Sequence, residues 1–349
     1  MPKTEILDCT IRDGSYVIDF QFSKKNVAYL VKGLSEAGIS KIEVGHGVGF
    51  DAERSQYNPA THTEEEYIKT ANLFKDKSKI GHFFIPGIGR LEKIKESINW
   101  GLDFIRIGVN ISEIEKARES VKMAKDCGLE TSINLMKSYA LNIKEFREKV
   151  MIADSFESDI ICVVDSAGGM FQEDIREYIR SIKDKIGASL GFHGHNNLML
   201  AIANSITAIE EGVRYIDCSL LGMGRSGGNA QTEILATILA KKKINTELDI
   251  YKLMDLGEKY IRPLMKETFG IPFLDVTAGI AQFHSSFLNK FVQIAEKHQI
   301  DLRDLIIRVS AIDKISPSDE LINSIAQEIV LEKSKSKGIK YPNKIFFNS

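Results

Sequence analysis

Eight short runs rich in Ile, Val, Leu and Phe punctuate the chain, at residues 5–11, 41–46, 79–86, 104–110, 130–136, 159–165, 189–195 and 215–222. Each is short for a helix and has few polar interruptions, which is the pattern of a strand covered on both faces. Longer stretches separate them, such as KKNVAYLVKGLSEAG, ISEIEKARESVKMAKDCG and LMLAIANSITAIEEG, in which apolar residues recur every three or four positions. That spacing lays one apolar stripe along a helix. Gly38, Gly128 and Gly212 each close such a stretch just before the next run, where a left-handed residue ends a helix.

Strand and helix alternating eight times predict a parallel (β/α)8 TIM barrel. A doubly wound open sheet is the competing arrangement. It asks for a glycine-rich phosphate turn after the first strand, and RDGSYVID is not one. Residues 1–240 are assigned to the barrel. Beyond about residue 230 the pattern turns helical, with IPFLDVTAGI the one strand-like stretch, so 241–335 are expected as a helical C-terminal region and the lysine-rich 336–349 as a tail.

Composition narrows the class of partner. The chain has 349 residues, and 46 Lys and Arg nearly cancel 48 Asp and Glu, for a formal net charge of -2. No global field invites nucleic acid or an anionic membrane. The start MPKTEILDC has no apolar signal core and no run of 18 apolar residues occurs, so a cytoplasmic location without membrane spans is expected. Cys9, Cys127, Cys162 and Cys218 form no CxxC pair and read as reduced thiols used mainly as small buried side chains.

Functional residues of such a barrel gather at the C-terminal ends of its strands. Those ends offer Arg12 and Asp13, Glu43 and His46, Lys137, Asp165 and Ser166, His193 and His195, and the loop from Gly224 to Asn229. FHGHNN is the strongest signal, because histidines at i and i+2 on a strand project to one side and suit a shared metal. The alternative is two strand-end histidines that only hydrogen-bond. Strands 1, 7 and 8 of a closed barrel are neighbours, so Asp13, His193 and His195 can converge on one divalent ion, with Asn229 as a fourth, oxygen ligand. This donor set suits Mn2+, with Mg2+, Co2+ or Zn2+ as alternatives. Such an ion would hold a 2-oxo acid, Arg12 would stabilise an enolate oxygen, and Glu43 would orient Arg12.

DCTIRDG, IEVGHGVG, PGIG, DSAGGM, HGHNN, GMGRSGGNA and HSSF, in this order, resemble the 4-hydroxy-2-oxovalerate aldolases. These sit within the wider group of metal-dependent lyases and synthases that includes HMG-CoA lyase. The resemblance implies metal binding by Asp13, His193 and His195, enolate stabilisation by Arg12, and contact of Ser166 and His193 with a bound 2-oxo acid. It also implies a small-molecule 2-oxo acid or aldehyde substrate, an acylating aldehyde dehydrogenase as a partner, and a homo-oligomer.

The chain departs from the family at two linked places: Tyr16 stands where a histidine base is expected, and His284 stands where a tyrosine is expected. The expectation is an exchange, with His284 as general acid/base in contact with substrate and Tyr16 as its companion, because an imidazole titrates near neutrality and a phenol does not. Lys137 stands where the family usually has an uncharged residue and is read as a contact for an acidic substrate group or as a solvated side chain, with a Schiff base the remoter option. The expected function is a divalent-metal-dependent aldolase of a 4-hydroxy-2-oxo acid. The alternatives are an acyl-CoA-dependent Claisen synthase, an aldolase of another 2-oxo acid, and a non-catalytic barrel.

Overall fold

The computed structural model describes residues 4–244, 247–265, 274, 277, 281, 283, 287–313 and 317–335, the side chains of 333–335 excepted. The eight apolar runs form β1 (Glu5–Asp8), β2 (Lys41–Glu43), β3 (Lys79–Phe84), β4 (Phe104–Asn110), β5 (Glu130–Met136), β6 (Ile160–Asp165), β7 (Ser189–Gly194) and β8 (Tyr215–Cys218). They pair in sequence order and close into one parallel barrel. Closure runs through β1 and β8, from Glu5↔Tyr215 to Asp8↔Cys218. The predicted TIM barrel is therefore the observed fold.

Parallel neighbours cannot be joined by a tight turn, so the connections carry helices. These are α1 (Lys24–Glu36), α2 (Glu64–Phe74), α3 (Leu91–Trp100), α4 (Arg118–Asp126), α5 (Ile143–Asp154), α6 (Gln172–Ile182), α7 (Ala201–Glu210) and α8 (Thr232–Lys241), followed by the short α9 (Ile250–Leu256). Ser23 with Asn26, and Thr63 with Glu66, form reciprocal caps that open α1 and α2, each cap contributing on the order of 1 kcal/mol. Gly38, Gly128 and Gly212 have φ of 92°, 77° and 100°, the left-handed stops expected of them.

Several strands stop short of their apolar runs, and β1 shows why. The Thr10 N–H turns back to the Asp8 carboxylate at 3.0 Å. The N–H groups of Arg12, Asp13 and Gly14 then all donate to the Cys9 carbonyl. Arg12 and Asp13 consequently stand on the turn after β1, with Asp13 opening a 3-10 turn over Asp13–Ile18, and not on the strand itself.

The chain divides into two compact units, Met1–Phe269 and Gly270–Ser349. Within the second, α10 (Leu288–His298), α11 (Leu302–Ile312) and α12 (Asp319–Lys335) share an apolar core that includes Phe291, Leu305, Ile306, Val309, Ile322 and Ala326. Apart from Leu274 and Thr277, the stretch IPFLDVTAGI lies outside the described residues, as do His284 and the tail 336–349. No described helix is long and apolar enough to cross a membrane.

Candidate active site

A cleft of about 560 Å³, open mouth included, is lined by Arg12, Asp13, Tyr16, Ser166, His193, His195 and Arg225, with Phe83, Ile85, Asn134, Met136 and Val164 among its other walls. Its centre is the trio Asp13, His193 and His195, all buried, whose ligand atoms lie within 4.8 Å of one another. Three elements deliver them: the turn after β1, the end of β7, and the bridge by which His195 pairs with Asn229.

Hydrogen bonds set which imidazole nitrogen faces inward. His193 Nδ1 contacts an Asp217 carboxylate oxygen at 2.9 Å, and His195 Nδ1 contacts the Gly228 carbonyl at 3.2 Å. Both outer partners accept, so each ring donates from Nδ1 and leaves Nε2 with its lone pair free. Burial, then His193, lowers the pKa of His195, which favours the neutral ring that ligation needs. Burial would raise the Asp13 carboxyl, but Arg12 and the two imidazoles overcome it and hold that group well below the usual carboxylate range. Asn229 donates from Nδ2 to Asp13 Oδ2 at 2.8 Å, while its buried Oδ1 has no partner among the described residues. An orphaned amide oxygen, two oriented imidazoles and an ionised carboxylate fit a divalent cation.

Beneath the trio runs a chain of buried charges. Arg12 donates from Nη1 to Asp13 at 2.7 Å and from Nε to Glu43 at 2.8 Å. Arg106 donates from Nη1 to the same Glu43 oxygen at 3.0 Å and from Nη2 to Asp217, which in turn holds His193. The belt thus leads from one candidate ligand to another through Arg12, Glu43, Arg106 and Asp217. Glu43 is fully buried and does not line the cleft, and Arg12, which it holds, does. Arg12 Nη2 makes no hydrogen bond among the described residues, and its guanidinium packs 4.5 Å from the centre of the Phe83 ring. Burial opposes ionisation of Asp217, and Arg106 with His193 overcomes it, lowering its pKa.

Arg106 and Asp217 were not singled out from the sequence. Their signal was a charged residue inside an apolar strand, in FIRIGVN and YIDCSLLG, which has no other means of staying buried. Asn134, on β5, was also missed.

Other candidates fall on both sides of the cleft wall. Ser166 lines it and accepts the Lys137 N–H at 2.9 Å. Lys137 is exposed, with φ of 58°, and stands apart from the lining. His46 is occupied in the loop after β2: Nε2 lies 2.9 Å from the Asn58 carbonyl, Nδ1 accepts the Val48 N–H at 3.0 Å, and its ring stacks on Phe20. Asp165 accepts the N–H groups of Gly169 and Met170 and so shapes the loop after β6. His82 is a core residue of β3, where burial pushes it down to about 3 and removes it as a base near neutrality. Tyr16 packs edge-on against Phe20 and Tyr57 in a slot that exists because residue 47 is glycine, since a Cβ there would come 2.3 Å from the phenol ring. Burial, then the Asp13 charge, raises its pKa further, so it stays a neutral phenol.

Residues 3–259 match the HMGL-like family. The chain is 33% identical to the 4-hydroxy-2-oxovalerate aldolase of Carboxydothermus hydrogenoformans, over 94% of this chain and 97% of that one. It is 35% identical to 4-hydroxy-2-oxovalerate aldolase 2 of Rhodococcus jostii, over 94% and 95%. Among solved structures, the N-terminal domain of a Bacteroides vulgatus protein named as an aldolase superposes with a TM-score of 0.67 at 28% identity, covering 82% of this chain and 96% of that domain. The motifs strung along the barrel mouth, the geometry they take up and these likenesses converge: the chain belongs to the HMGL-like family and is a relative of the 4-hydroxy-2-oxovalerate aldolases.

Proposed function

We propose that this protein is a divalent-metal-dependent aldolase that cleaves, or forms, a 4-hydroxy-2-oxo acid, with pyruvate and an aldehyde as the other reactants. The observation that carries the reading is the buried Asp13–His193–His195 trio with the free Nη2 edge of Arg12 beside it. Asp13, His193 and His195 would hold the ion, with Asn229 Oδ1 as a fourth donor, and Mn2+ is the ion we assign. When bound, the ion supplies Lewis-acid stabilisation to the developing enolate of a 2-oxo acid.

The chain's own groups divide the remaining work. A base takes the proton of the C4 hydroxyl, the C3–C4 bond breaks, and its electron pair passes into the enolate of pyruvate. The Arg12 cation offsets the charge on the enolate oxygen, and Glu43 keeps the guanidinium in place at 2.8 Å. A proton returned to C3 completes pyruvate. Ser166 is assigned to substrate contact, and the acid/base role goes to His284 on the sequence alone, with Tyr16 as its companion. An aldehyde dehydrogenase partner and a homo-oligomer accompany the reading through the family resemblance.

Two measurements test it. Mn2+-loaded protein should exchange the methyl hydrogens of pyruvate in D2O and release pyruvate from a 4-hydroxy-2-oxo acid. No exchange, or release of a CoA thiol from an acyl-CoA in its place, refutes it. The variant H284A should lose turnover by at least about a hundredfold while Mn2+ binding survives; undiminished turnover removes His284 from the mechanism.

A further inference from the structure

Arg225 differs from the other cations around the cleft. It sits in the loop GMGRSGGNA, is exposed, and lines the same cleft as Asp13, His193 and His195. Its guanidinium lies 5.7 Å from the centre of the Tyr16 ring, and no described carboxylate pairs with it. By contrast Arg90, Arg180 and Arg214, all on the outer surface, each hold an acid at 2.6–2.7 Å.

The loop that carries Arg225 is pinned at both ends. The Arg225 N–H reaches Asp13 Oδ2 at 3.3 Å, and its carbonyl accepts the Gly228 N–H at 3.1 Å. Asn197 Nδ2 donates to Ser226 at 2.7 Å, and Asn229 N–H donates to the Gly222 carbonyl at 2.9 Å. The side chain is therefore presented from a fixed base beside a candidate ligand. The Tyr16 hydroxyl makes no hydrogen bond among the described residues, and Tyr16 lines the same cleft as Arg225.

Charge balance says what such a cation would meet. In the buried belt the carboxylates of Asp13, Glu43 and Asp217 outnumber the guanidiniums of Arg12 and Arg106 by one. A divalent ion turns that single negative charge into a single positive one, which the carboxylate of a 2-oxo acid balances. Arg225 then adds a second positive charge that nothing in a singly charged substrate would neutralise. A guanidinium stacked on a ring keeps its planar donor edges free, and those edges match a carboxylate or a phosphate.

We propose that Arg225, with Tyr16 beside it, is a specificity subsite for a second anionic group, so that the preferred substrate is a 2-oxo acid bearing a further carboxylate or phosphate on its aldehyde-derived half. The inference rests on the aldolase reading for the orientation of the 2-oxo acid, and it separates this chain from an enzyme whose substrate carries one carboxylate.

The test compares two inert probes of equal chain length, 2-oxoglutarate and 2-oxopentanoate, by calorimetric titration of the Mn2+-loaded full chain. Wild type should bind 2-oxoglutarate at least about tenfold more tightly, the scale of one charge-assisted pair. R225Q should bring the two Kd values within about threefold, acting almost wholly on 2-oxoglutarate, and R225K should restore part of the difference. Equal Kd values in wild type, or a preference that R225Q retains, overturn the subsite. Pyruvate exchange in D2O, measured on the same wild-type preparation, judges the aldolase reading separately. A protein that shows the Kd difference without exchange keeps the subsite and loses that reading.

Discussion

Arg106 and Arg225 are guanidiniums of the same barrel unit in opposite circumstances. Arg106 is 1% exposed and holds Glu43 and Asp217 inside the barrel, whereas Arg225 is exposed on the cleft wall with an aromatic ring for its neighbour. Buried charge survives only when paired, so Arg106 is committed to geometry: it keeps Asp217 on His193 and Glu43 on Arg12. Rim charge stays solvated without a partner and remains available to a ligand. One cleft thus separates the residues that build it from the residue that selects what enters.

The largest expected effect breaks the buried half of this contrast. R106M would leave Asp217 without a guanidinium and Glu43 with Arg12 alone, a loss of about 3–5 kcal/mol of stability measured by urea unfolding. The triple variant R106M/E43Q/D217N should recover most of it. A single-variant cost near that of an ordinary surface change would show that the belt is not a charge-paired unit. A smaller effect is expected at the belt's end. D217N removes the acceptor that orients His193 and should weaken Mn2+ binding about 10–100-fold while circular dichroism stays unchanged. Unaltered affinity would mean that His193 is oriented by something else.

The smallest effect concerns a buried acid outside the belt, Glu233, whose charge also acts on Arg262. Glu233 accepts the Leu221 N–H at 3.0 Å, and burial pushes its carboxyl up to about 8. Below the ordinary carboxyl range both folded and unfolded chains carry this proton. As pH rises toward about 8 the unfolded chain releases it while the folded chain retains it, so the stability Glu233 contributes is lost across that window. Urea midpoints should therefore fall less between pH 5 and pH 8 in E233Q than in wild type. Parallel slopes would assign Glu233 an ionised state and extend the belt's logic to it.

Eight short apolar runs alternating with amphipathic stretches admit few topologies, and the barrel followed from them. So did the gathering of Asp13, His193 and His195, because a strand places i and i+2 on one side and a closed barrel makes β1 and β7 both neighbours of β8. Asp8, at the end of β1, is a structural acid: it holds the Thr10 N–H and the Thr232 hydroxyl, with burial raising it to about 6. Local pattern overshot the ends of the strands, since apolar residues continue past the last ladder bond into turns such as the one gathered on the Cys9 carbonyl.

What the sequence could not decide was pairing across the barrel. Glu43 and Arg106 are 63 residues apart, and Arg106 and Asp217 are 111 apart. Nothing local in FIRIGVN says which carboxylates its arginine will meet. The same holds for Arg225, whose exposure and ring neighbour depend on a loop pinned by residues of the turns after β7 and β1. Sequence determined the fold, the family and the residue types that could hold an ion, because backbone periodicity and side-chain chemistry are local. Tertiary structure decided which charges are spent on one another and which is left for a substrate, because Coulomb energy depends on distance and burial, and closure of the barrel sets both.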